Sequence, residues 1–141
     1  MTTTQTVERG AKPVLRYILA AVALVFGVAT IKAGGDVLFF SEEARNAAGN
    51  YVPFVLWANF MGGFLYVTAG LLIFLNSTQA LRLSVIIAAM TVAVFIALTI
   101  HIAVGGAYET RTLAAMVFRS VIWVAIALVL VKSKNVMGGN I

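Results

Sequence analysis

The stretch VIWVAIALVLV, residues 121–131, contains only apolar side chains and carries no charge. With the residues from Thr112 onward it approaches the ~20 residues that an α-helix needs to cross a hydrocarbon core ~30 Å thick. Backbone groups in lipid must be satisfied within their own segment, and the alternation of apolar and polar residues that marks strands is absent. A membrane-spanning helix is therefore predicted here.

Three more segments have the same character, and 62% of the 141 residues are hydrophobic while 11% are charged. A soluble domain of this length could not cover so much apolar surface, so much of the chain must face lipid. The first segment is expected to be a retained helix, because no small-residue cleavage site follows it. The predicted fold is an all-α, integral membrane four-helix bundle, with segments 13–31, 51–75, 81–104 and 112–131. Residues 1–12 form a polar N-terminal segment, 13–131 the membrane domain and 132–141 a cytoplasmic tail.

The distribution of basic residues predicts the orientation in the membrane. Basic residues outnumber acidic ones at the start of the first segment, in the second link and at the end of the last segment, and Glu8 is the one acidic residue in these three places. On the other side Lys32, Arg45 and Arg111 are mixed with four acidic residues. The excess of Lys and Arg marks the cytoplasmic side. Both termini are expected in the cytoplasm of a bacterial-type inner membrane, with the first and third links outside.

The first link, residues 32–50, contains the signals of a short helix. Ser41 can cap its start, two glutamates follow in the first turn, and Gly49 can end it. We expect a short interfacial helix over the bundle, with a plain loop as the alternative. The pairs Gly34–Gly35 and Gly105–Gly106 are predicted to stop the first and third membrane helices.

Arg119 is the most unusual polar residue, because it lies inside an apolar segment. Its Cα is about 10 Å from the start of that segment at Thr112. An arginine at such depth costs ~2.5 kcal/mol or more on insertion scales, so it should face protein and find a partner. A carboxylate is expected, either Asp36 or Glu109; snorkelling of the side chain to the interface is the alternative.

Several other polar residues fall on the same outer half of the bundle. Asn59 alone would be interpreted as a residue that hydrogen-bonds between helices. A lone histidine such as His101 more often has a structural role than a role in ligand binding or proton transfer. Their convergence nevertheless predicts a polar pocket that opens outward beneath the first link. The candidate ligand-binding residues are Lys32, Asp36, Asn59, His101, Tyr108, Glu109, Arg111 and Arg119.

Six aromatic side chains are interpreted as mostly interfacial or lipid-facing, with stacking on a flat ligand such as a quinone as the alternative: Tyr51, Phe54, Trp57, Tyr66, Phe118 and Trp123. The chain has no cysteine, which excludes disulfides and thiolate metal sites. Its single His argues against bis-histidine haem within one chain, and the spacing of acidic residues demands no metal. The net charge of +5 lies at helix ends, where it suits lipid headgroups and not nucleic acid.

Two stretches resemble the DoxX-like family of small four-helix membrane proteins. They are RYILAAVALVFGVATIK, residues 16–32, and GGFLYVTAGLLIFLNSTQALRL, residues 62–83. The resemblance implies framework positions at Arg16, Gly27 and Lys32. It also implies a link to membrane redox processes, because members include subunits associated with thiosulfate and quinone oxidation.

Three hypotheses about function follow, and catalysis is left open. The first is a redox- or quinone-associated membrane subunit whose outward-facing polar pocket holds a ligand, with quinone as the cofactor to consider. The second is a small-anion transporter or channel subunit. The third is a purely structural subunit. The expected partners are the lipid bilayer, a membrane redox protein and a second copy of the chain.

Overall fold

The chain folds almost entirely into helices, and no strand occurs among the described residues. The computed structural model describes the backbone of residues 2–138 and the side chains of residues 13–134. The side chains of the predicted polar segment 1–12 lie outside the described ones, as do most of those in the predicted tail. The helices are α1 (Thr2–Gly35), α2 (Glu42–Ala48), α3 (Pro53–Phe74), α4 (Gln79–Ala103) and α5 (Thr110–Gly138).

The predicted four-helix membrane bundle is confirmed. Four helices are long and apolar enough to span a membrane, over Pro13–Phe40, Pro53–Phe74, Gln79–Ala103 and Thr110–Lys134. Their outer surfaces are covered with large apolar side chains such as Val25, Phe64 and Val121, each about half exposed or more. Such surfaces are stable in lipid, so this is a multi-pass membrane protein.

The first membrane helix is longer than expected, and the prediction that Gly34–Gly35 ends it is wrong. Both glycines are buried within α1, which continues over Asp36–Phe40 as a π-helical turn. A Cβ on Gly34 would lie 3.0 Å from the Cβ of Phe60, so the missing side chain makes room for α3. These glycines serve packing and not helix termination. Gly105, with φ of +89°, does follow the end of α4 as expected.

The short helix expected in the first link is confirmed as α2. The Ser41 hydroxyl accepts a hydrogen bond from the Ala44 amide at 3.0 Å, as an N-cap should. Glu42 and Glu43 occupy its first turn, where they complement the helix dipole. Gly49, with φ of +64°, ends it in a conformation that favours glycine. We call the end of the bundle that carries this helix the α2 end.

The closest helix pair is α1 with α3, which pack backbone against backbone. A Cβ on Gly27 would lie 2.9 Å from the backbone nitrogen of Val67, and one on Gly63 would lie 3.1 Å from the Gly27 carbonyl oxygen. In lipid, no hydrophobic driving force brings helices together. Small residues promote helix association there because they allow close van der Waals packing of the two backbones. α4 packs chiefly along α5, and α3 joins the two pairs through α4.

Two apolar clusters fill the interior. The larger lies below the α2 end and centres on Trp123 and Tyr66, whose ring centroids are 4.8 Å apart. Their exposed fractions are 0% and 3%, so the interfacial or lipid-facing interpretation is wrong for these two aromatics, whereas Phe54, Trp57 and Phe118 are exposed as expected. Because a membrane helix is apolar on all sides, its sequence does not show which side faces the interior of the bundle. The smaller cluster, near the α2 end, contains Val52, Val55, Leu98 and Met116.

Candidate functional site

A cavity of about 460 Å³ lies at the α2 end between α1, α3 and α5, with α2 along its side. Ligand sites in proteins usually measure about 300–1,000 Å³, so this space is of ligand size. The cavity is lined by Thr30, Ala33, Gly34, Asp36, Val37, Ala44, Ala47, Ala48, Tyr51, Val52, Val55, Leu56, Asn59, Glu109, Arg111, Thr112, Ala115 and Arg119.

Arg119 lines the deep part of this cavity, about 13 Å along α5 from Thr110. Its side chain is buried, with 8% exposed, so the expected inward orientation is confirmed and snorkelling is excluded. The guanidinium carbon lies 5.4 Å from the centroid of the Phe26 ring, within the range of a cation–π contact. Nη1 donates to the sulfur of Met116 at 3.6 Å, a weak acceptor.

The expected pairing of Arg119 with a carboxylate is wrong. Asp36 instead accepts from the Lys32 ammonium at 2.6 Å, because α1 continues and brings these residues together one turn apart. Glu109 accepts from the backbone nitrogen of Asn50 at 2.9 Å. Among the side chains that the structure describes, none carries a negative charge within ion-pair distance of Arg119, and its Nε has no hydrogen-bond partner.

Two residues at the start of α5 hold α2 in place. Arg111 donates to the carbonyl of Ala47 at 2.6 Å, and Glu109 binds the chain just after α2 through the Asn50 amide. A Cβ on Gly49 would lie 2.5 Å from Glu109 Oε1, so a larger residue here would displace this carboxylate from the Asn50 amide. On its other side, Arg45 donates to the Val37 carbonyl at 3.2 Å. Hydrogen bonds from two parts of the chain therefore fix α2 beside the cavity.

Asn59 lies where the cavity meets a second, smaller space. That space measures about 20 Å³ and is lined in part by Asn59, Tyr66, Thr91 and Met116. A volume of this size accommodates about one water molecule. The Thr91 hydroxyl donates to the Ile87 carbonyl at 2.7 Å, and its oxygen can still accept hydrogen bonds. Polar groups thus extend from the cavity into the middle of the bundle.

The structure brings five of the eight candidate site residues to the cavity: Asp36, Asn59, Glu109, Arg111 and Arg119. The other three lie elsewhere. The Lys32 side chain is 76% exposed and lies along a lipid-facing groove of α1. A ring nitrogen of His101 is 3.0 Å from the Ala107 carbonyl, so this residue shapes the third link, and Tyr108 is 39% exposed. Whether any of the eight binds a ligand stays a prediction.

Sequence reasoning missed other residues around Arg119. Phe26 and Met116 contact its guanidinium, and Thr112 and Ala115 share its cavity. The last two precede Arg119 by seven and four residues, a spacing that places them on one helix face. That periodicity was visible in the sequence, whereas the contact with Phe26, on another helix, was not.

No metal-binding group is apparent in the described part of the chain: residues 13–134 hold no cluster of three or more His, Cys, Asp or Glu side chains. Comparison with protein-family models, with curated proteins and with solved structures finds no match to this chain. Fold and site together define its class. It is a four-helix membrane protein with a ligand-sized cavity at one end and, within it, a buried arginine that no carboxylate of residues 13–134 neutralises.

Proposed function

We propose that this protein binds a small anionic ligand in the cavity at the α2 end, with Arg119 as the group that receives the negative charge. The observation that carries the proposal is the burial of a guanidinium that forms no ion pair with any described side chain. A buried charge is costly unless it is paired and hydrogen-bonded, and arginine stays protonated in proteins. An anion in the adjacent cavity would supply the missing partner.

The donors of Arg119 suit this role. The guanidinium presents N–H groups in a planar fork that matches carboxylates and phosphates. Phe26 and Met116 occupy one part of its surroundings and leave Nε without a partner. The Asn59 amide lines the same cavity and offers a further donor.

Ligand binding is favoured over free passage of ions by the packing below the cavity. Trp123, Tyr66 and Ile87 are each no more than 3% exposed and fill the bundle beyond Arg119. A site closed at its inner side suits a binding protein, or one state of a transporter, better than an open channel. With the orientation predicted from the basic residues, the site would open to the outside of the cytoplasmic membrane.

The narrower predictions stay proposals. Membership of the DoxX-like family rests on the two sequence stretches and is compatible with the four-helix architecture. A redox or quinone-linked role rests on that resemblance alone. The anion site rests on Arg119 and stands independently of the family.

The test is anion binding by the purified full-length protein in a neutral detergent, measured by titration calorimetry at constant ionic strength. We expect at least one of chloride, sulfate, acetate and octanoate to bind wild type, and Arg119→Gln to lose that binding. Arg82→Gln is the matched control, because Arg82 is exposed near the start of α4, at the opposite end of the bundle. Equal binding by both variants would contradict the proposal, and so would no binding by wild type.

A further inference from the structure

We infer that the ligand is a monoanion with an apolar body, such as a medium-chain carboxylate or an anionic phosphodiester lipid. This inference rests on the proposed anion site and narrows the class of ligand. It follows from the charge balance of the cavity, the chemistry of its walls and the depth of Arg119.

Among the described side chains, the charges at the cavity, counted with Lys32, sum to one net positive charge, from three cations and two carboxylates. Asp36 is neutralised by Lys32 at 2.6 Å. Glu109 and Arg111 are neighbours at the start of α5, and each is engaged by backbone near the end of α2. Arg119 remains. One negative charge on the ligand therefore makes the site neutral, whereas a dianion would leave the cavity with a net negative charge.

The walls between Arg119 and the rim are chiefly apolar. Three alanines of α2, at positions 44, 47 and 48, share one face of that helix and line the cavity. Val52, Val55 and Leu56 line it from the start of α3, and Ala115 lines it one turn from Arg119. A hydrated inorganic ion would leave these apolar walls in contact with water, whereas an alkyl chain would remove them from water.

The depth of Arg119 fixes how such a ligand would lie. The arginine is about 13 Å along α5 from its start, whereas Glu109 and Arg111 lie at that start. The anionic head would therefore sit deep, with the apolar body running back along the alanine face of α2. Each methylene buried on the way raises affinity by up to about fourfold.

The experiment compares defined probes on the full-length protein in phosphatidylcholine nanodiscs. The probes are potassium butyrate, potassium octanoate, 1-octanol, potassium sulfate and dihexanoylphosphatidylglycerol. We expect octanoate to bind at least tenfold more tightly than butyrate, with 1-octanol and sulfate weaker than octanoate. Comparing octanoate with the phosphatidylglycerol shows whether a free carboxylate or a lipid headgroup is the better source of the monoanion.

A matched pair of variants tests the apolar wall without touching the charge. Ala115→Leu extends into the cavity, and Ala114→Leu adds the same group on the lipid-facing side of α5. We expect the first to weaken octanoate binding at least tenfold and the second to leave it within twofold. Arg119→Gln should abolish the preference for octanoate over 1-octanol.

The outcomes separate the two proposals. Sulfate binding at Arg119 as tightly as octanoate, or octanoate no better than butyrate, would overturn the inference while anion binding survives. Binding of 1-octanol as tightly as octanoate would show an apolar cavity with no role for charge. That result would contradict both the inferred ligand class and the proposed anion site. Binding of no anion by wild type removes the proposed function itself.

Discussion

Replacing Arg119 with Met should stabilise the ligand-free protein while removing anion binding. Met has a similar length and no charge, so it can fill the space beside Phe26 and Met116. An unsatisfied buried donor costs about 1–3 kcal/mol, and more when charged. Against this gain stands the lost cation–π contact, worth about 0.5–2 kcal/mol. The expected net change is a gain of about 1 kcal/mol in the free energy of unfolding.

The assay is reversible unfolding in mixed micelles of neutral detergent and dodecyl sulfate, followed by circular dichroism. Arg82→Met is the control, because exposed substitutions usually change stability by no more than about 0.5 kcal/mol. A loss of more than about 2 kcal/mol in Arg119→Met would refute the reasoning. It would mean that Arg119 is a structural member of the core with partners that satisfy its charge.

Three further predictions concern the framework around the cavity. Gly63→Val should destabilise the protein by about 1–3 kcal/mol in the same assay, because its side chain would meet the α1 backbone. Gly62→Ala should cost less, because its Cβ makes an ordinary contact of 3.4 Å with the Tyr66 hydroxyl. Equal losses in the two variants would contradict this account. Gly49→Ala should speed amide hydrogen exchange throughout α2, because its φ of +64° is strained for alanine and the added Cβ would displace the Glu109 carboxylate. Unchanged exchange by mass spectrometry would show that α2 holds without this contact. Asn46→Cys should react with an impermeant maleimide in intact cells and Ser77→Cys should not, and the reverse pattern would overturn the predicted orientation.

The membrane helices and α2 were predictable from sequence because their signals are local. Apolar runs of spanning length gave the four long helices, and the cap at Ser41 with its following glutamates gave α2. The same reasoning failed at Gly34–Gly35, where a contact with Phe60 on another helix decides that the chain stays helical. Helix termination by glycine is a weak local tendency, and tertiary packing overrode it.

That one error also explains the wrong partner for Arg119. Lys32 and Asp36 are four residues apart and form an ordinary ion pair once α1 continues past Gly35. With the helix stopped there, Asp36 looked free to reach Arg119. The choice of cavity residues was more successful for those deep in the helices, such as Asn59, than for His101 and Tyr108. The path of a link cannot be deduced from its polarity, so the sequence did not show that Glu109 lines the cavity while Tyr108 beside it does not. Lys32 was misplaced for another reason, because the side of α1 that faces the cavity was not known.

The close backbone contact between α1 and α3 should keep the distance between these two helices constant. That distance is set at Gly27 and Gly63, where each glycine lies against the backbone of the opposite helix. Across the cavity, α5 meets α1 through larger groups, including the Phe26 and Phe118 rings with centroids 6.0 Å apart. Spin labels on α1 and α3 should therefore report one distance whatever occupies the cavity. Any change in the width of the cavity would appear as a change in the distance between spin labels on α1 and α5.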